Sequence, residues 1–275
     1  MASEKTKVIE HIFNERFDDE GRVLSNPMVT MQDIRDAIDA TGADLKKDNP
    51  ANFFKDIVRS RRRNENFPDS VFRRGYTAQQ AIGEERVFMF VPVPEDQVEP
   101  FADIEPSADA IENIIVVQSL TLPLPSRRLG RSDESWLTQV VARLNILQAH
   151  LSTRSDTNLV ALELLITNAK LGSGEIDAVF IGAEETEAGY RDVLISAEMK
   201  SVKEVLEPEQ VLRGAEALRR NATKILESDD FVVIPMAAKV LPGNLLWVVE
   251  FDRDFPDLKL KSESVFRLKP PVQGV

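Results

Sequence analysis

Asp177 and the triplet Glu198-Met199-Lys200 are the residues of this chain whose types and spacing point most directly to chemistry. They lie in one stretch from Gly174 to Lys200: an apolar segment with Asp177 near its start, an acidic turn from Glu184 to Gly189, and a second apolar segment that ends in the triplet. Both segments have the composition and period of strands. In the second, Val193, Ile195, Ala197 and Met199 fall on one face, and Ser196, Glu198 and Lys200 on the other. A carboxylate and an ammonium therefore stand side by side at a strand end, and pairing of the two strands would bring Asp177 to them. Carboxylate oxygens are hard ligands that suit Mg²⁺, which takes one or two protein carboxylates and keeps most of its waters. A lysine beside an attacking water can hold it, stabilise it once deprotonated, or face the charge of a phosphoryl transition state. The plain alternative is an exposed Glu–Lys pair, worth about 0–1 kcal/mol, with an Asp in a hairpin turn.

Asp177 followed by Glu198-x-Lys200 on consecutive strands resembles the PD-(D/E)XK nuclease superfamily, the fold of many restriction endonucleases and resolvases. The Pro of the motif is absent, since Ile176 precedes Asp177. The resemblance implies that Asp177 and Glu198 bind Mg²⁺ together with the Met199 carbonyl, with Mn²⁺ as a substitute, and that Lys200 orients the attacking water. It also implies a glutamate from the helix before the sheet, for which Glu134 is the match. Glu163, on the next strand, competes with it, and an acidic residue is favoured in any first helical turn. A glutamine on the helix after the triplet is matched by Gln210.

The elements that would position these groups read in a consistent order. Ser132 opens a helix striped by Trp136, Leu137, Val140, Val141, Leu144, Leu147 and Leu151. A strand follows over Leu159 to Ile166, then the two strands above. Pro208 opens a further helix carrying Gln210 and Arg213. Phe231 to Ile234 and Leu245 to Val249 are two more apolar strands. Helix, strand, strand, strand, helix, strand, strand over about 120 residues is the α/β core the resemblance implies. The polar tail from Phe255, with Pro270-Pro271, reads as a segment that frays.

Composition excludes several alternatives. With zero Cys, disulfides, zinc ribbons and cysteine nucleophiles are out. Only two His, His11 and His150, are present, which removes HNH-type and zinc-peptidase chemistry and leaves no ready catalytic triad. No phosphate-binding Gly-rich loop occurs, and Gly172-Ser173-Gly174 precedes a strand, on the wrong side for a dinucleotide fingerprint. No apolar run is long enough for a membrane span, and the N-terminus lacks the order of a signal peptide. The expected compartment is cytoplasmic. A net charge of −12 argues against loose coating of nucleic acid but leaves room for a local basic surface.

Such a surface is expected in residues 1–95. Val8, Ile9, Ile12 and Phe13 give the first helix its face. Thr30 with Asp33 resembles a capping box before Ile34, Ala37 and Ile38, with Gly42 as the stop. Asn49-Pro50 begins a third helix through Val58. Val71 to Tyr76 and Arg86 to Val91 read as a strand pair. Three helices and a ribbon resemble a winged-helix module. From Arg59 to Arg74 six arginines face Glu65 and Asp69, a local charge of +4. Arg59, Arg61, Arg62, Arg63, Arg73 and Arg74, with Tyr76, are thus the candidate DNA contacts; a solvated basic helix end is the bland alternative. Residues 96–110, Pro-rich and acidic, read as an exposed linker to a nuclease domain over 111–275.

The expected fold is therefore α/β: a restriction-endonuclease-like mixed β-sheet flanked by helices, behind a small, mainly α, winged-helix-like domain. The expected function is Mg²⁺-dependent hydrolysis of double-stranded DNA by a restriction or defence endonuclease. A double-strand cut by one site per chain implies a homodimer, and a restriction role implies a cognate methyltransferase. A repair or resolvase nuclease, a DNA-binding regulator with an inactive nuclease-like domain, and an interaction protein without DNA affinity are the alternatives.

Overall fold

The computed structural model describes residues 3–47, 50–58, 60, 62–81, 85–94, 97–101, 104–171, 174–227, 229–252 and 259–275. Arg59 and Arg61 lie outside the described residues, as does Asn49. The chain divides into two compact units, Met1–Asp103 and Ile104–Val275. None of the described helices is long and apolar enough to cross a membrane.

In the first unit, helix α1 (Glu4–Arg16) is capped by the Ser3 hydroxyl and buries Val8, Ile9, Ile12 and Phe13. A two-residue hairpin, β1 (Phe17–Asp18) and β2 (Val23–Leu24), leads to β3 (Met28–Thr30) and α2 (Met31–Thr41). The capping box at Thr30 and Asp33 is formed in both directions, and left-handed Gly42 ends the helix. The third helix is shorter than its apolar pattern implied: a 3₁₀ turn at Pro50–Asn52 and one turn of α3 (Lys55–Val58). Phe53, Phe54, Ile57 and Val58 are nonetheless all in the core. After α4 (Arg63–Asn66), the segment expected as a strand from Val71 is helix α5 (Asp69–Arg73), preceded by Pro68 and followed by positive-φ Gly75. Strands β4 (Tyr76–Gln80) and β5 (Arg86–Pro92) then pair antiparallel, and β3 adds a third strand that the sequence pattern did not reveal. The acidic stretch differs from an open linker, since Phe101 packs against Phe54 and Phe67 in this core.

The second unit is built on a seven-stranded mixed sheet of order β6-β12-β11-β10-β9-β8-β7. Helix α6 (Ala108–Glu112), strand β6 (Ile115–Gln118) and α7 (Leu124–Arg128) open it. Helices α8 (Glu134–Arg143) and α9 (Ile146–Arg154) precede strands β7 (Leu159–Leu171), β8 (Gly174–Thr186) and β9 (Gly189–Lys200). Helix α10 (Pro208–Leu226) is the crossover that lets β10 (Phe231–Leu241) pair parallel to β9. Strands β11 (Leu245–Phe251) and β12 (Leu260–Lys269) complete the sheet. The period-two reading of β9 holds: Val193, Ile195, Ala197 and Met199 join the core under α8 and α9. Leu194 lies in a separate cluster with Ala215 and Leu218 of α10.

Three expectations are corrected here. The cap before α8 is Asp133, whose carboxylate accepts from the Trp136 N–H at 2.9 Å, rather than Ser132. The single striped helix is two, broken at Asn145, which adopts φ 52 and ψ 40. The break keeps Leu137, Val140, Val141, Leu147 and Leu151 in one core, and Asn is one of the few side chains that tolerate the left-handed region. Asn145→Ala is expected to lower stability by about 1 kcal/mol, while Asn145→Gly costs little. Urea unfolding of the two variants tests this; equal midpoints would remove the backbone explanation.

The third correction is β12. The tail expected to fray is an interior strand between β11 and β6, with Val265 and Phe266 fully buried. Its polar residues have partners inside the protein. Ser264 Oγ lies 2.8 Å from His150 Nδ1, and Ser262 Oγ lies 3.0 Å from His150 Nε2. Ser262 also donates to Glu250 at 2.8 Å. Burial, with the Glu250 charge working against it, lowers the His150 pKa to about 4. His150 is thus a core residue in a polar seam.

Candidate active site

The geometry of the site follows from where the β8–β9 ladder stops. The last rung pairs Ala178 with Ala197. Beyond it β8 continues to pair only with β7, down to Gly174, and β9 continues only with β10, up to Lys200 opposite Lys239. The two strands fork. Asp177 sits at the crotch, and its Oδ2 accepts the Met199 N–H at 2.8 Å, replacing the strand partner that Met199 has lost. The carbonyl of a strand residue points to the same edge as its N–H, so the Met199 carbonyl also faces the fork.

Glu198 and Lys200 lie on the α10 side of β9 and are 4% and 7% exposed. Lys200 Nζ stands 2.5 Å from Glu198 Oε1 and 3.0 Å from Gln210 Oε1. Gln210 is placed by the Pro208 start of α10. One turn later Gly214 lets the helix close on the sheet: a Cβ there would stand 3.0 Å from Ser196 Oγ. Asp177, Glu198, Lys200 and Gln210, expected together from the sequence, are thus joined in one continuous set of contacts.

The electrostatics are those of charges withdrawn from water. Burial pushes Glu198 up to about 7, with Lys200 opposing and Asp177 adding to the rise. Burial also raises Asp177, against the Met199 N–H and the Lys200 charge. The hydrogen bond between the two carboxyl groups works to lower Asp177 and to raise Glu198. Burial alone would lower Lys200, but Glu198, Asp177 and Glu204 together raise it, so it stays an ammonium.

Glu204, which sequence reasoning missed, joins Asp177, Glu198 and Glu134 as the fourth acid of this region. It lies in the turn after β9, where its carboxylate accepts the Ser201 N–H at 2.8 Å. It is hydrogen-bonded to Glu134, at the start of α8. Glu134 is raised: the backbone N–H at its own helix start works to lower it, but burial and the Glu204 carboxylate prevail. Glu204 is lowered, because burial is outweighed by its hydrogen bonds to Ser201 and Glu134. Glu134 also feels the Asp177 charge. Its competitor Glu163 is exposed and pairs with Ile181, four residues along β8 from Asp177, or about 13 Å of strand. Glu204 carried no sequence signal beyond three residues' separation from Ser201, the spacing of a local turn.

Among the described residues no three His, Asp or Glu side chains form a group set to hold an ion. Two carboxyl pairs stand there instead. The donors at the fork, Asp177, Glu198 and the Met199 carbonyl, are all oxygens, which fits a hard divalent cation that retains waters and suits Zn²⁺ poorly.

The chain matches no family model, and comparison with curated proteins and with solved structures finds no match.

Among the described residues, Arg62, Arg63, Arg73 and Arg74 do not form one basic face. Arg63 is 3% exposed, with its guanidinium 5.6 Å from the Phe101 ring centroid. Tyr76 packs edge-on against Phe13 and Phe17. Arg74 pairs with Asp19 at 3.1 Å and lies over the Phe17 ring. Arg73, paired with Asp69 at 2.5 Å, and Arg62, at 3.7 Å from Glu65, keep exposed side chains. Arg63 is therefore corrected from a surface contact to a buried residue, and Tyr76 is half-buried against the same core: each has an aromatic neighbour that arrives from a distant part of the chain.

Proposed function

We propose that the second unit is a Mg²⁺-dependent endonuclease of the PD-(D/E)XK type that hydrolyses phosphodiester bonds of DNA. The observation that carries this reading is the fork: Asp177, Glu198 and Lys200 meet where two strands of one sheet part, with Gln210 holding the ammonium from α10. Asp177, Glu198 and the Met199 carbonyl would hold the ion, which when bound supplies positive charge to the phosphate and a lowered pKa to the nucleophile. Ionisation of Glu198 releases the proton it shares with Asp177, so the pair gains one more negative charge to offer. Lys200 is fixed on two sides and has three ammonium hydrogens, so one remains for a water or a phosphate oxygen. Beyond the fork Glu134 and Glu204 are hydrogen-bonded to each other, and the Glu204 charge helps keep Lys200 charged.

The seven-stranded mixed sheet with helices on both faces supports a restriction-endonuclease-like core, and α1, α2 and the β4–β5 ribbon support a winged-helix-like first unit. DNA docking by that unit rests on Arg62 and Arg73 among the described residues. A homodimer would deliver the paired cuts of a restriction or defence enzyme. The test is conversion of supercoiled plasmid by the purified chain with Mg²⁺, with Mn²⁺ and with EDTA. Nicked or linear product that depends on the ion is expected; intact plasmid under all three conditions would sink the reading.

A further inference from the structure

Among the described residues, Lys239 is a buried lysine near the fork with no hydrogen bond or ion pair. It is 8% exposed. The parallel register places it directly beside Lys200, on the last rung of the β9–β10 ladder. Paired residues of neighbouring strands share a face, about 4.8 Å apart. The other neighbours of Lys239 on that face are Ala237 and Leu241 along its own strand and Trp247 across on β11. None is anionic. The nearest carboxylate on the face, Glu198 beside Ala237, is engaged by Lys200. Among the described residues Lys239 makes no hydrogen bond and no ion pair, whereas Lys200 makes two contacts.

A buried ammonium without a partner is costly, because water solvated it in the unfolded chain and nothing replaces that water. Methionine would fill the same space in this apolar setting at no such cost. Lys239 stands beside Lys200, while the fork carboxyl groups of Asp177 and Glu198 are already engaged with the Met199 N–H, with Lys200 and with one another. A diester phosphate is an anion suited to such a lysine: a single negative charge spread over oxygens that accept from a point cation.

We propose that Lys239 is a second phosphate-binding cation of the site, which takes a backbone phosphate of the nucleic acid beside the one that Lys200 faces. The proposal rests on the endonuclease reading for its ligand. It makes Lys239 a binding residue, whose removal weakens binding evenly across sequences.

The experiment uses the full chain, a fluorescent DNA duplex, and Ca²⁺ in place of Mg²⁺. Fluorescence anisotropy over a salt series is compared for wild type, Lys239→Met and Lys239→Gln, with thermal unfolding measured on each. Loss of one phosphate contact is expected to reduce the slope of log K against log salt by about 0.9. The unfolding midpoint of Lys239→Met is expected to stay level or rise, since a buried unpaired charge has been removed. A merely structural lysine gives the opposite pair of results: a lower midpoint with an unaltered slope. That result, or a wild-type slope and affinity in both variants, overturns the proposal. The same samples assayed on plasmid with Mg²⁺ separate the two readings. A wild-type chain that cuts, with an unaltered slope in both variants, sinks Lys239 alone. A wild-type chain that binds but never cuts, with the slope reduced in the variants, sinks the nuclease and keeps Lys239. A chain that binds no DNA sinks both.

Discussion

Lys200→Met is expected to slow DNA cleavage by about 10²–10⁴-fold while leaving DNA affinity in Ca²⁺ within a few-fold of wild type. The expectation follows from how the ammonium is held. Glu198 Oε1 at 2.5 Å and Gln210 Oε1 at 3.0 Å fix two directions around Nζ. The carboxylates around it keep it charged despite burial. A positioned cation acts on charge that develops during reaction, so its loss falls on the rate more than on binding. Methionine retains the length and apolar stem, so the sheet end keeps its packing. Lys200→Arg is expected to fail as well, because a planar fork cannot replace a compact point charge between Glu198 and Gln210. Single-turnover cleavage of a plasmid measures both variants. Cutting by Lys200→Met at the wild-type rate would take the lysine out of the mechanism.

Metal-free protein is expected to lose stability as the pH rises through neutrality, by up to about 3 kcal/mol for Glu198. The sign follows from the direction of the shift. Glu198 is raised from its ordinary 4.5 to about 7, chiefly by burial. The folded state therefore binds this proton more tightly than the unfolded chain does. The stabilisation is complete below about pH 4.5 and is lost as the pH climbs through about 7. Asp177 is shifted in the same direction and adds to the trend. Lys200, also raised, contributes stability that is lost only in strongly alkaline solution, outside this window. Mg²⁺ should reverse the loss at about pH 8, by about 2.7 kcal/mol when present at a hundred times its dissociation constant. Urea unfolding at several pH values, in EDTA and in Mg²⁺, measures both effects, and Glu198→Gln should flatten the EDTA curve. A wild-type curve in EDTA that is already flat from about pH 5 to about pH 8 would show that Glu198 does not titrate in this range.

The candidate site was legible because its signals are local. Alternation along β9 assigns Glu198 and Lys200 to one face and Met199 to the other, and Pro208 sets where Gln210 begins its helix. The capping box at Thr30 and the stop at Gly42 are equally short-range. What the pattern missed depends on partners far away in the chain. Strand β12 looks like a frayed tail because Ser262, Ser264 and Glu263 are polar, yet His150, Glu250 and the Trp247 indole N–H satisfy them inside the fold. Arg63 counts as surface charge until Phe101 arrives beneath it. Glu204 lies in an irregular turn, where no period marks a face. The break at Asn145 leaves the apolar stripe unaltered and so does not disturb the helical pattern.

The sheet order also sets a sequence of events during synthesis. Strand β6 leaves the ribosome before any other strand of its sheet, yet its one neighbour there, β12, is translated last of them. Until β12 emerges, Ile115 to Gln118 can pair with nothing in its own unit, although the residues of the fork have long since been made. A nascent chain whose fork residues are made but whose sheet edge is unclosed is a natural client for a chaperone. On the endonuclease reading proposed above, the fork would gain the full support of its sheet only once that late strand slots in.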